Sequence, residues 1–143
     1  MIYKEQNKDL FTVDKSYTLA HCVSGDFALG AGIAKEFAVR GVKEQLKATY
    51  TCVEVGDALL TETTGWRNEI SLVTKRKYFE KPTIEALKQA LVSLKDSCEM
   101  LSIDKIAMPR IGCGLDKLDW EEVSKLIKEV FEPTDIEILV CVL

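Results

Sequence analysis

The sequence predicts an α/β fold: a sheet covered on both sides by helices, with at least some of its strands parallel. Three observations point there. Short aliphatic and β-branched runs alternate with segments whose apolar residues recur at helical spacing. Two of the runs are followed by glycine-rich loops, as where a strand turns into a crossover connection. The 143 residues suffice for one domain with a real core, residues 1–143, and are too few for two ordinary ones.

Taken in chain order, "YTLAHCV" (17 to 23) reads as a buried strand. Helical segments follow Gly32, around "IAKEFAVR" and "VKEQLKATY", and are broken or turned at Gly41. "EISLVTK" (69 to 75) is a strand with Ile70 and Leu72 on one face and Val73 on the other. From Pro82 onward the spacing of Ile84, Leu87, Leu91, Leu94, Cys98 and Leu101 follows a helix period, and Pro82 with Thr83 supplies its start signal. "KIAMP" (105 to 109) is a short strand ending at proline. Asp119 and Glu122 form a variant capping box, after which Trp120, Val123, Leu126, Ile127 and Val130 make the apolar face of a further helix. The closing "IEILVCVL" has the continuous aliphatic character of a strand buried on both faces.

Composition narrows the function classes. With 47% apolar residues, only three prolines and no low-complexity tract, the chain reads as globular throughout. "MIYKEQNKDLF" carries charges where a signal peptide needs an apolar stretch, and no apolar run approaches the roughly 18 residues of a membrane span. The expectation is an untargeted, cytoplasmic, monomeric protein with no membrane partner. Five cysteines, odd in number and without a CxxC pair, indicate neither a disulfide framework nor a zinc ribbon, and a single histidine argues against a metal site. The net charge of −4, with both signs mixed along the chain, lacks the basic stripe of a protein that grips nucleic acid through its phosphates. An anionic ligand would have to be held by local backbone groups.

Such groups exist in the two loops "SGDFALGAGIA" (24 to 34) and "RIGCGLD" (110 to 116). In an open α/β sheet, ligands collect beyond the carboxyl ends of the strands, where both loops would lie if their strands are parallel. Gly30, Gly32, Gly112 and Gly114 would let backbone N–H groups approach a diphosphate without a Cβ in the way. Each loop read alone is equally a tight strand-to-helix turn, because "GAG" lacks the third glycine of a dinucleotide fingerprint. Cys113 could be a nucleophile or a small residue packed in its loop; the only histidine is nearly a hundred residues away. Lys75, Arg76 and Lys77 could be a solvated basic run, and Asp116 a turn residue.

"NKDLF", "AHCVSGDFALGAGIA", "LVTKRKYFEKPT", "MPRIGCGLDKLDWEEV" and the terminal apolar strand follow one another over almost the whole chain. In that order they resemble macrodomains, and closely the terminal ADP-ribose protein glycohydrolase subgroup. The resemblance implies a three-layer α/β/α macrodomain with a central mixed sheet that binds ADP-ribose. It implies that Asp9 accepts a hydrogen bond from the adenine amino group with Leu10 beside it, and that His21 and Ser24 lie along the ligand. It assigns the diphosphate and distal ribose to Gly30, Ala31, Gly32 and Ile33 on one side. Pro109, Arg110, Ile111, Gly112, Cys113, Gly114 and Leu115 form the other.

The resemblance further implies that Lys75 attacks the anomeric carbon of the distal ribose and that Asp116 helps release the lysyl adduct, roles within the ordinary chemistry of an amine and a carboxylate. It leads us to expect a hydrolase that removes mono-ADP-ribose from protein, from Glu or Asp esters first, with no cofactor and no metal. A DNA de-ADP-ribosylase and a non-catalytic reader of ADP-ribose are the alternatives. The chain departs from many macrodomains in having Lys8 where a glycine precedes the adenine aspartate. "HCVSGD" and "GAG" stand in place of paired asparagines and a triple-glycine loop.

Overall fold

The computed structural model describes residues 1–63 and 67–143. Its strands are β1 (Ile2–Asn7), β2 (Thr18–Ser24), β3 (Ala58–Glu62), β4 (Asn68–Lys75), β5 (Lys105–Met108) and β6 (Glu137–Val142). Its helices are α1 (Gly32–Val39), α2 (Val42–Thr49), α3 (Ile84–Leu101) and α4 (Trp120–Phe131). The strands form one sheet in the order β1-β6-β5-β2-β4-β3. Every neighbouring pair is parallel except β3 with β4, so the sheet is mixed and antiparallel only at one edge.

Strand alternation divides the core in two. Ile70, Leu72, Ile106, Met108, Ile138 and Val140 face α3 and α4, where they pack with Leu87, Leu91, Leu94, Ile127 and Phe131. Leu19, Val23, Val73, Ala107, Leu139 and Cys141 face the opposite way and pack with Phe37, Val42 and Leu46 of α1 and α2. Successive residues of one strand thus serve opposite layers, as a period of two requires. Leu91 is fully buried, and truncating such a side chain to alanine costs about 2–5 kcal/mol.

The helix ends follow local chemistry. Thr83 caps α3 by accepting from the Ala86 N–H at 3.0 Å, and Ser102, at φ 57°, closes it in a left-handed turn. Leu101, expected on the buried face, is 47% exposed at the last position of the helix, next to that closing turn. Gly41, at φ 94°, turns α1 into α2. Asp119 caps α4 through the Glu121 N–H rather than through a reciprocal box with Glu122. Two strands escaped the sequence analysis, β1 and β3, and they are the two edges of the sheet. Among the described residues no helix is long and apolar enough to cross a membrane.

Candidate ligand-binding cleft

The parallel strands β2, β4 and β5 all end on the same side of the sheet, and a cleft of about 1040 Å³ opens there. Its walls are the two glycine loops, and a strap after β4, residues 76–81, closes one side. Gly30, Ala31, Gly32, Ile33, Pro109, Arg110, Ile111, Gly112, Gly114 and Leu115 all line it, as do Ser24, Lys75 and Asp116. The two glycine loops therefore face one shared space.

Each wall presents backbone. The first ends in the N-terminus of α1, whose cap is Ala31. Alanine has no side chain able to accept from the first-turn N–H groups, so they remain to meet an anion, aided by the helix dipole. Across the cleft, Gly112 adopts φ +74°, and a Cβ there would stand 2.8 Å from Leu118 Cδ1. The Leu118 N–H donates to the Gly112 carbonyl at 2.7 Å and the Lys117 N–H to the Gly114 carbonyl at 3.2 Å, which folds this loop tightly on itself. The walls approach at Gly32, where an added Cβ would lie 3.6 Å from Leu115 Cδ1.

At the base of the cleft, Lys75 Nζ donates to Asp116 Oδ1 at 2.6 Å, with 15% and 18% of the two side chains exposed. Lys75 is the last residue of β4, and Asp116 follows the second glycine loop. Register sets the position of Lys75. Val23 pairs with Val73, yet Ser24 pairs with Lys75, so β4 carries an extra residue at its end. Such bulges re-aim side chains, and this one lies where β4 reaches the cleft. Beneath the pair, half-buried Cys22 lines the floor; burial, and after it the charge of Asp116, push its thiol up to about 12.

Cys113 lies in the second loop but not among the lining residues, and its Sγ contacts the Ile111 carbonyl at 3.4 Å. Burial raises its pKa, against a smaller lowering by Arg110. Burial of this kind disfavours the thiolate, the form a nucleophile needs.

His21 is not in the cleft. It is fully buried, stacked on the Phe37 ring with centroids 3.8 Å apart, and its Nε2 lies 2.9 Å from Glu69 Oε1. The carboxylate can only accept, so Nε2 is the nitrogen that donates. Ser71 and Thr61 hydroxyls also donate to Glu69, at 2.7 and 2.9 Å. Alternation explains the difference: His21 stacks on Phe37 of α1, and its neighbour Cys22 points the other way and lines the cleft.

Asp9 and Leu10 follow β1 at the same end of the sheet but lie outside the cleft lining. The Asp9 carboxylate caps a short 3-10 turn, accepting from the Phe11 N–H at 3.0 Å, and Leu10 is buried in the α1 and α2 core. Lys8 continues the pairing of β1 with β6 by donating its N–H to the Val142 carbonyl at 2.9 Å, and it is not among the positive-φ residues. No glycine is needed at that position.

Sequence reasoning missed Cys22, the strap residues Tyr78, Phe79, Glu80 and Lys81, and Asp26, which supports the wall. Tyr78 and Phe79 are 66% and 74% exposed and meet edge to face with centroids 5.5 Å apart. Large aromatic residues left in solvent beside a basic run were the available signal. The bulge that places Lys75 has no signature in the sequence.

The fold and cleft define a class: a three-layer α/β/α domain with a cleft between backbone loops at the carboxyl end of a largely parallel sheet. Within that class the chain belongs to the Macro domain family, whose model matches residues 14–127. It is 43% identical over 134 residues to ADP-ribose glycohydrolase OARD1 of Homo sapiens, covering 92% of this chain and 86% of that protein. The Bos taurus protein of the same name is 42% identical over the same share. Among solved structures, the macrodomain of Mycobacterium tuberculosis DarG superposes with a TM-score of 0.85 at 23% identity, covering 98% of this chain and 97% of that one. Thermosipho africanus DarTG in complex with ADP-ribose superposes with a TM-score of 0.81 at 19% identity, over 98% of this chain and 41% of that one. At those identities the two structures speak for the fold.

Proposed function

We propose that this macro domain is an ADP-ribosyl glycohydrolase that releases mono-ADP-ribose from modified acceptors, protein Glu and Asp esters first among them. Lys75 is the nucleophile and Asp116 the assisting carboxylate. The observation that carries the reading is the Lys75–Asp116 pair, 2.6 Å apart in a cleft walled by two backbone cradles. The relatives named as ADP-ribose glycohydrolases support the hydrolase class.

The chemistry follows from the groups present. Backbone N–H groups at the start of α1 and in the 111–115 loop hold the diphosphate, which leaves Lys75 facing the distal ribose. Attack requires the free amine, so Lys75 first gives a proton across the short hydrogen bond to Asp116 or to water. A bond forms from Nζ to the anomeric carbon, and the bond from that carbon to the acceptor oxygen breaks. An ester acceptor leaves as a carboxylate and needs no proton, which suits a nucleophile whose hydrogen-bond partner is a carboxylate. Water then adds to the anomeric carbon and the carbon–Nζ bond breaks, with Asp116 moving the protons. The products are ADP-ribose and the regenerated lysine.

A nucleobase-linked acceptor is the second reading, favoured by one observation: the exposed rings of Tyr78 and Phe79 beside Arg76, Lys77 and Lys81. Planar rings next to cations suit a base and its phosphates. Parallel incubation with Glu-linked, Ser-linked and thymidine-linked ADP-ribose, reading free ADP-ribose, separates the two. Fastest release from the Glu ester supports the first reading, and fastest release from thymidine the second. Binding of ADP-ribose with no release on any linkage overturns both and makes the protein a reader. The covalent step has its own test. Asp116→Ala should accumulate a species heavier by one ADP-ribose in intact-protein mass spectra, and its absence together with full turnover in Lys75→Ala would eliminate the lysine route.

A further inference from the structure

Asp26 stands outside the cleft lining, yet it ties two of the cleft's walls together. Its Oδ1 accepts from Ser24 Oγ at 2.5 Å and from the Ala28 N–H at 3.2 Å. Its Oδ2 accepts at 3.0 Å from the N–H of Tyr78, 52 residues away in the strap. The backbone reinforces the link: the Gly25 N–H donates to the Lys75 carbonyl at 2.8 Å and the Asp26 N–H to the Arg76 carbonyl at 3.1 Å. The first holds the last residue of β4, just after its extra residue, and the second holds the first residue of the strap. A local turn accounts for the Ala28 contact, since Asp commonly bonds the backbone two residues on, and Ser24 is an equally local side-chain neighbour. It does not account for Tyr78.

From this arrangement we infer that Asp26 is a positioning residue for the hydrolysis proposed above, a clasp that fixes the bulged end of β4 and so holds Lys75 on its line of attack. The inference rests on the lysine reading of the site. The carboxylate is a competent clasp: burial would raise its pKa, but the bonds from Ser24, Tyr78 and Ala28 outweigh burial and hold it below the usual carboxylate range. It therefore stays ionised and acceptor-only at neutral pH, as three converging donors require. Removing it leaves Lys75 and Asp116 in the chain but frees the strap to drift. A misplacement of about 1 Å at a reacting group can cost about 100-fold in rate.

Asp26→Asn tests this because an amide offers one acceptor oxygen. Whichever way it turns, an NH2 group faces either the Tyr78 N–H or the Ser24 and Ala28 donors. The measurements are kcat and KM on the best linkage, ADP-ribose affinity by calorimetry, and hydrogen exchange across residues 75–81. The expected result is a kcat lower by roughly 10- to 100-fold, KM and affinity within about threefold, and faster exchange at Tyr78 with the α3 amides unchanged. In an Asp116→Ala background the same change should slow formation of the lysine adduct. Loss of Tyr78 protection with kcat within twofold of wild type would overturn the inference, as would kcat and affinity falling together. Should Asp26→Asn not fold, Asp26→Ser keeps an acceptor for the Ala28 N–H but cannot also reach Tyr78, and the same split is expected of it. A wild-type protein that releases no ADP-ribose on any linkage refutes the hydrolase reading itself, a different outcome from an active wild type with an equally active Asp26→Asn.

Discussion

Two side-chain pairs touch β4, one near its start and one at its end. In the first, His21 and Glu69 meet at 2.9 Å with neither side chain exposed; in the second, Lys75 and Asp116 meet at 2.6 Å with part of each side chain open to the cleft. The chemistry of the pairs is similar and their settings are opposite. Within the body of the sheet, a polar side chain is walled by neighbouring strands and a helix, so His21 is stacked on Phe37 and Glu69 is saturated by Ser71 and Thr61. At the strand's carboxyl end the wall stops, and the same kind of pair has ligand space above it. Position along the strand, more than residue type, separates a pair that holds the fold from one that can do chemistry.

The comparison predicts opposite consequences when each pair is broken. Lys75→Ala should lower ADP-ribose release by at least about 10³-fold, since it removes the one amine that is hydrogen-bonded to Asp116 among the described residues. Its ADP-ribose affinity should stay within roughly tenfold, because one partly solvated contact is worth no more than about 1.4 kcal/mol. Steady-state kinetics with calorimetry would check this, and wild-type release from the alanine variant would remove the distinction. Glu69→Ala should do the reverse. It strands His21, Thr61 and Ser71 in the core, at about 3–5 kcal/mol, the scale on which buried pairs fail when one partner is lost. Thermal denaturation should show Tm falling by roughly 10 °C or more. Turnover per folded molecule, assayed well below that Tm, should persist; an unchanged Tm with lost turnover would mean that this pair too belongs to the site.

The glycines of the second loop sharpen the same contrast on a smaller scale. Gly112→Ala places a methyl at positive φ and within 2.8 Å of Leu118, so it should destabilise the fold by about 1–3 kcal/mol as well as disturb the cradle. At Gly114 a Cβ would meet nothing within 4 Å, and the residue lines the cleft. Gly114→Ala should therefore leave Tm within about 1 °C, a change under about 0.5 kcal/mol, and alter only ADP-ribose affinity. Equal Tm losses from the two variants would show that Gly114 is also structural.

How far these features could be read from the sequence depends on how local their causes are. The four central strands read clearly because β2, β4, β5 and β6 are buried runs, and α3 because its apolar spacing and Thr83 cap are contained in 20 residues. The edge strand β1, "IYKEQN", is exposed at five of its six positions and carries no alternation to see. On the site, the two loops and Lys75 with Asp116 were legible as residue types, and the family resemblance joined them. His21 was misplaced by one step of strand alternation: a shift of one residue exchanges the faces, and Cys22 holds the position expected of its neighbour. Asp26 and the bulge at Lys75 were invisible, since each is defined by a partner about 50 residues away in the chain.

Only a small effect should come from the residue that looks most reactive on paper. Cys113 sits between two glycines in the loop facing Lys75, where a thiolate would be a competing nucleophile. The structure withholds the conditions for one: burial raises its pKa, Arg110 lowers it only in second place, and its Sγ rests against the Ile111 carbonyl. At neutral pH its thiolate fraction is therefore below that of a free cysteine, and alkylation by iodoacetamide should be slow and quicken only as the pH rises past the ordinary thiol range near 8.5. Cys113→Ala removes a small packed side chain and should keep kcat within about threefold of wild type, at a stability cost of about 1 kcal/mol. A loss of several orders of magnitude in kcat, with ADP-ribose affinity intact, would instead make the thiol the nucleophile and reduce Lys75 to a charge beside it. The pH–rate profile separates the two independently, because a cysteine-driven rate would climb through the range in which alkylation accelerates, and a lysine-driven rate would be the same in the Cys113→Ala protein at every pH.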